Sequence, residues 1–98
     1  MNKNCKEFLE SIASYKDYWL NLDDEVVEKS CKFTGEEPTE YRMNGLIFSL
    51  LVMIDGDSSL NNFKSYDLRY SGKIINKDIY LHENIFKFLK NKEWLWQH

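Results

Sequence analysis

The residues best suited to chemistry are Asp55 and Asp57, two carboxylates set two positions apart where the apolar run Leu46 to Ile54 ends. A carboxylate can act as a nucleophile or move a proton, and an apolar run ending in Asp-x-Asp is how some phosphoryl-transfer enzymes present one. His82, beside Glu83, could share in proton transfer with Asp55 or Asp57, because an imidazole exchanges protons near neutral pH. The ordinary explanation competes with this one: Asp and Gly end helices and make turns. On that account Gly56 lets the chain leave a buried helix, Asp55 and Asp57 solvate the exit, and His82 caps or packs at a helix start.

Length decides between the two. The segment from Pro38 to Ile54 has room for a helix, and its length favours helix over strand. The string Asp55-Gly56-Asp57 resembles the nucleophile motif of the haloacid-dehalogenase-like phosphatases. That fold needs a doubly wound sheet of well over 98 residues, with the motif near its start and further groups downstream. An EF-hand loop beginning at Asp55 would need Gly at its sixth position and Glu at its twelfth, where Leu60 and Tyr66 stand. Cys5, Cys31, His82 and His98 have no paired zinc-ligand spacing. No Gly-rich phosphate loop and no Ser beside a base is present. The expectation is therefore no catalytic residue, no metal and no cofactor.

The elements that position these groups follow from apolar spacing. Cys5, Phe8, Leu9, Ile12, Tyr15, Trp19 and Leu22 share one face of a first helix from about Lys3 to Leu20. A second helix starts at the acid run Asp23-Asp24-Glu25, which suits free N–H groups and the positive end of the helix dipole. Val26, Val27, Ser30 and Cys31 are expected to face inward, and Gly35 to stop the helix. Pro38 opens a third helix that is apolar nearly all round, with Phe48 and Leu51 buried. Gly45 inside it costs roughly 1 kcal/mol against Ala, which a close neighbouring helix would explain. Beyond the loop Asp55 to Asn62, the alternation of Tyr66 to Ser71 predicts a strand. Gly72 supplies a turn, and Ile74, Ile75 and Ile79 to Leu81 form one or two short return strands. A last helix begins near His82. The predicted fold is a single α+β domain over residues 1–98, mostly helical with about four helices and a short antiparallel hairpin between the third and last.

Charge narrows the partners. Residues 1–49 hold ten Asp/Glu against six Lys/Arg, and the acids gather between Asp17 and Glu40. That sign repels phosphate backbones, which disfavours nucleic acid, and attracts a basic partner. Two cysteines without a framework, a polar start and no run of about 20 apolar residues predict a reduced, cytoplasmic protein with no signal peptide and no membrane span. Trp94 and Trp96 are candidate contacts, since Trp buries much area at little rotamer cost.

The segment Tyr41 to Ser58 contains Gly45-x-x-Phe48-Ser49 running into Asp55-Gly56-Asp57-Ser58, and Leu81-His82-Glu83 follows downstream. This pattern resembles a set of small bacterial proteins whose size and character are similar to immunity proteins of polymorphic toxins and contact-dependent growth inhibition systems. The resemblance covers roughly the second half of the chain. It implies a cytoplasmic, non-enzymatic protein that binds a cognate toxin domain, often a nuclease, and occludes it. The expected contacts are Asp23, Asp24, Glu25, Glu28, Glu36 and Glu37, with Trp94 and Trp96 at the far end. The alternatives are a small hydrolase or phosphate-handling enzyme using Asp55, Asp57 and His82, or an adaptor subunit of a larger complex.

Overall fold

A computed structural model describes residues 1–90. Four helices, α1 (Lys3–Asn21), α2 (Asp24–Thr34), α3 (Pro38–Ile54) and α4 (Leu81–Lys90), are joined by a 3-10 turn (Ser59–Asn61) and a two-stranded hairpin, β1 (Arg69–Tyr70) and β2 (Lys73–Ile74). The predicted class stands: mostly helical α+β, with an antiparallel hairpin between the third and last helices. The chain divides into two compact units, one ending at Leu50 and one beginning at Leu51. Each is described by itself.

In the first unit the helix ends follow local chemistry. Asn2 accepts the Cys5 N–H and starts α1, and Asp23 accepts the Glu25 N–H at 2.8 Å and starts α2. Gly35, at φ +75°, closes α2 by returning its N–H to the Cys31 carbonyl. The close approach expected at Gly45 is made by α1. A Cβ at Gly45 would stand 2.5 Å from the Trp19 ring. The ring is held there, because Trp19 Nε1 donates to Ser49 Oγ at 2.8 Å, one turn further along α3. Tyr18 and Tyr41 meet the same ring edge-on, with centroids 5.2 and 5.7 Å away.

Arg42 completes the arrangement. Its Nη1 donates to the Trp19 carbonyl at 2.6 Å and, at 3.3 Å, to that of Leu20, among the last carbonyls of α1. Its Nη2 pairs with Asp24 at 2.7 Å, in the first turn of α2. One guanidinium thus fixes the end of α1 and the start of α2 to α3.

Several inward assignments change. Cys5 is exposed and Leu9 nearly half-exposed, while Ser11, two positions after Leu9, is buried, its hydroxyl satisfied by the Glu7 carbonyl. On α2, Val27 is buried and Cys31 half-buried, but Val26 turns outward at 47% exposure. Phe48 and Leu51 are half-buried rather than buried, and Met53 is the fully enclosed residue of α3. A chain this short lacks the surface to cover an apolar helix on every side.

In the second unit, Ser71 (φ +50°) and Gly72 (φ +79°) form a two-residue turn with both φ values positive, which suits the twist of the hairpin they join. Arg69 opposes Ile74 and Tyr70 opposes Lys73. The predicted strand from Tyr66 pairs over two residues only, because a side chain replaces the ladder. Asn76 accepts the Leu68 N–H and donates to the Tyr66 carbonyl. The predicted return at Ile79 to Leu81 is not a strand, and Leu81 already opens α4.

The Trp19 contact yields a prediction whose sign opposes helix propensity. Gly45→Ala should gain about 1 kcal/mol as a helix former, yet the added methyl meets an anchored ring, and overpacking costs about 1–3 kcal/mol. Denaturant unfolding should show net destabilisation. A variant more stable than the parent would mean that Trp19 does not rest on Gly45.

Candidate functional site

The structure brings together the three residues that sequence spacing made candidates for chemistry. Asp55 follows the last turn of α3, its N–H bonded to the Leu51 carbonyl. Gly56, at φ +88°, then reverses the chain, and a Cβ there would stand 3.0 Å from Ser65. The helix exit therefore needs glycine, as expected. Asp55 does not solvate it. Its side chain is only 1% exposed, and Oδ2 accepts both the backbone N–H of His82 at 2.8 Å and, at 2.6 Å, the His82 ring at Nδ1. Held at both its backbone and its ring, His82 has its imidazole orientation set by Asp55. Asp57 Oδ2 lies 3.7 Å from Nε2, beyond hydrogen-bond length, and is half-exposed as expected.

This cluster performs structural work first. The first N–H groups of a helix need partners, and Asp55 supplies one to α4 from 27 residues upstream while gripping the ring of the same residue. Asp55 Oδ1 is buried with no partner among the described residues, which leaves one acceptor of the carboxylate unused. Chemically, the arrangement has an oriented imidazole and a second carboxylate beside it, the parts of a proton-transfer site. Ser58, the nearest hydroxyl in sequence, is buried and its oxygen accepts the Leu60 N–H, so it opens the 3-10 turn. Among the described residues no three His, Cys, Asp or Glu side chains are grouped as metal ligands.

The acidic candidates lie on or beside α2 in the first unit. Asp23 is engaged as the helix cap, and Asp24 pairs with Arg42 although its side chain is 94% exposed. Glu25 bridges to Lys29 at 3.5 Å across one helical turn, an exposed pair of small worth. Glu36 is half-buried and accepts from Asn44 at 2.6 Å. Glu28 and Glu37 are exposed. Trp94 and Trp96 lie outside the described residues. At Cys31, desolvation first and then the Glu36 and Glu37 carboxylates push the thiol pKa up against the opposing pull of Arg42, which disfavours the thiolate.

The chain matches no protein-family model, no curated protein and no solved structure. The reading of both regions therefore rests on their own residues.

Sequence reasoning missed Arg42, which orders the acidic region, and Asn76, which replaces strand pairing. Neither belongs to an apolar period, so no periodicity could flag it. Phe33 was missed as well, though a signal existed. It sits six positions after Val27, about a third of a turn round α2 from that buried residue, and is 92% exposed.

Two substitutions separate the roles of the paired acids. Asp55→Asn removes a charged acceptor of two buried hydrogen bonds and should cost about 1.5–3 kcal/mol. Asp57→Asn, at a half-exposed side chain, should change stability by no more than about 0.5 kcal/mol. Equal effects in denaturant unfolding would contradict the division of labour.

Proposed function

We propose that this is an immunity-type protein that binds a basic protein toxin domain, with a nuclease as the expected kind, and neutralises it by occupying its surface without turnover. The observation that carries the reading is the presentation of α2. The helix is capped at both ends, by Asp23 and by Gly35, and is tied at its first turn to Arg42. Its exposed acids Asp24, Glu25 and Glu28 are therefore held on a preformed surface. Glu36 and Glu37 extend the same sign just beyond the helix end. Such a surface costs little to order on binding and draws a cation-rich partner by steering. The resemblance of the Tyr41–Ser58 segment and Leu81-His82-Glu83 to a set of small bacterial proteins, similar in size and character to immunity proteins, supports the same reading. Among the described residues no helix is long and apolar enough to cross a membrane.

One observation favours a second reading, a small hydrolase or other proton-transferring enzyme: Asp55, Asp57 and His82 converge, and Asp55 orients the imidazole. The exposed Asp57 carboxylate disfavours an anionic phosphate substrate at that spot. The tight engagement of Asp55 with a single residue is equally what a helix clasp requires, so the first reading is preferred.

The acids to reverse are those that neither cap α2 nor tie it to Arg42. Asp23 and Asp24 cap and tie α2, so reversing them would confound folding with binding. Glu25→Lys, Glu28→Lys and Glu37→Lys together should slow association with the partner by at least about tenfold at low salt. The difference should shrink toward about 1 M salt, where screening acts over about 3 Å. Stopped-flow association with the partner recovered by pull-down checks this. Equal rates for the triple variant and the parent at low salt would overturn the acidic-surface reading.

A further inference from the structure

Resting on that reading, we infer that Phe33 is the anchor of the interface and that the partner receives it in an apolar pocket rimmed by Lys or Arg. A single exposed apolar residue is unremarkable on a protein surface. Phe33 differs in two respects. It is held in place, because it lies in the last turn of a helix that Gly35 closes with an N–H bond to the Cys31 carbonyl at 2.8 Å. It is also not alone. Val26, 47% exposed, precedes it by seven positions, which on a helix of 3.6 residues per turn is the same face about 10 Å away. Lys29 lies between them along the helix, and its charge is met at 3.5 Å by Glu25, one position before Val26. The outward face of α2 is thus two apolar side chains flanking a cation that is already paired, with acids about it. That is the plan of an interface core with a polar rim.

Charge selects the occupant. From Asp23 to Glu37 the chain holds six acids against Lys29 and Lys32. A second copy docking face to face would bring this sign against itself, which costs association. A membrane with anionic headgroups and a nucleic-acid backbone are repelled in the same way. A basic protein gains from the same field, and an aromatic ring entering a pocket in its surface gives the contact its lifetime. The acids then govern how fast the complex forms and Phe33 governs how slowly it dissociates.

The experiment begins with the full chain carrying the photo-cross-linker p-benzoylphenylalanine at position 33, irradiated in the source cell. The expected product is a cross-link to a protein of pI above about 9. The purified captured protein is then tested against Phe33→Ala, with Val26→Ser as a second variant and Glu25→Lys/Glu28→Lys as the charge control. Phe33→Ala should weaken binding about 30-fold, nearly all of it in the dissociation rate. The melting temperature should be unchanged, because the side chain is 92% exposed. If Phe33→Ala binds like the parent while the charge control associates slowly, the anchor is wrong and the acidic-surface reading stands. If neither variant has an effect, both fail. A cross-link to a second copy of this chain, to an acidic protein or to nothing overturns the inference.

Discussion

Residues 1–50 depend on one contact: the ring of Trp19 lying where a side chain at position 45 would be. Glycine costs α3 intrinsic stability, and in exchange α1 and α3 approach closely enough for Trp19 Nε1 to reach Ser49. Once α1 ends at that point, its last carbonyls meet Arg42, and the same guanidinium reaches Asp24. The start of α2 is therefore fixed by a chain of contacts that begins at a missing Cβ. With its start fixed and Val27 enclosed, α2 has one outward side, and the acids, Val26 and Phe33 are displayed by construction.

The second unit uses a different fastening with a related logic. A buried carboxylate at the end of α3 takes both the backbone and the ring of His82, so the first turn of α4 is tied to the residue that leaves α3. Carboxylate and imidazole are catalytic residue types, and their convergence here resembles a proton-transfer pair. The same two bonds serve to satisfy a helix N-terminus. Residue type and proximity are shared by both roles, and what separates them is whether a ligand engages the cluster.

Much of the fold was legible because it is written in short-range chemistry. Pro38 marked the start of α3, Asp23 and Gly35 bracketed α2, and Gly45 implied a close neighbour before that neighbour was identified as Trp19. Three things were not legible, each for a physical reason. The grouping of Asp55 with His82 was among the readings, but the burial of Asp55 was not, since a hydrophilic residue at a helix exit reads as solvated. The hairpin is shorter than its alternating pattern because Asn76 supplies hydrogen bonds that only the folded loop reveals. Apolar period locates a face but not how completely it is covered, so Phe48 and Leu51 were placed too deep and Val26 on the wrong side. The acidic cluster was readable as charge. The structural duties of Asp23, Asp24 and Glu36 were not.

The central claim is that function resides on the outward side of α2, and hydrogen–deuterium exchange on the full chain, alone and with its bound partner, tests it most directly. Exchange reports local opening. The account predicts that partner binding slows exchange across Asp24 to Thr34 while Asp55 to Ser58 and the first turn of α4 keep their free-state rates. Slowed exchange at Asp55 to Ser58 and His82, with α2 unchanged, would contradict it and place the working site at the carboxylate–imidazole cluster.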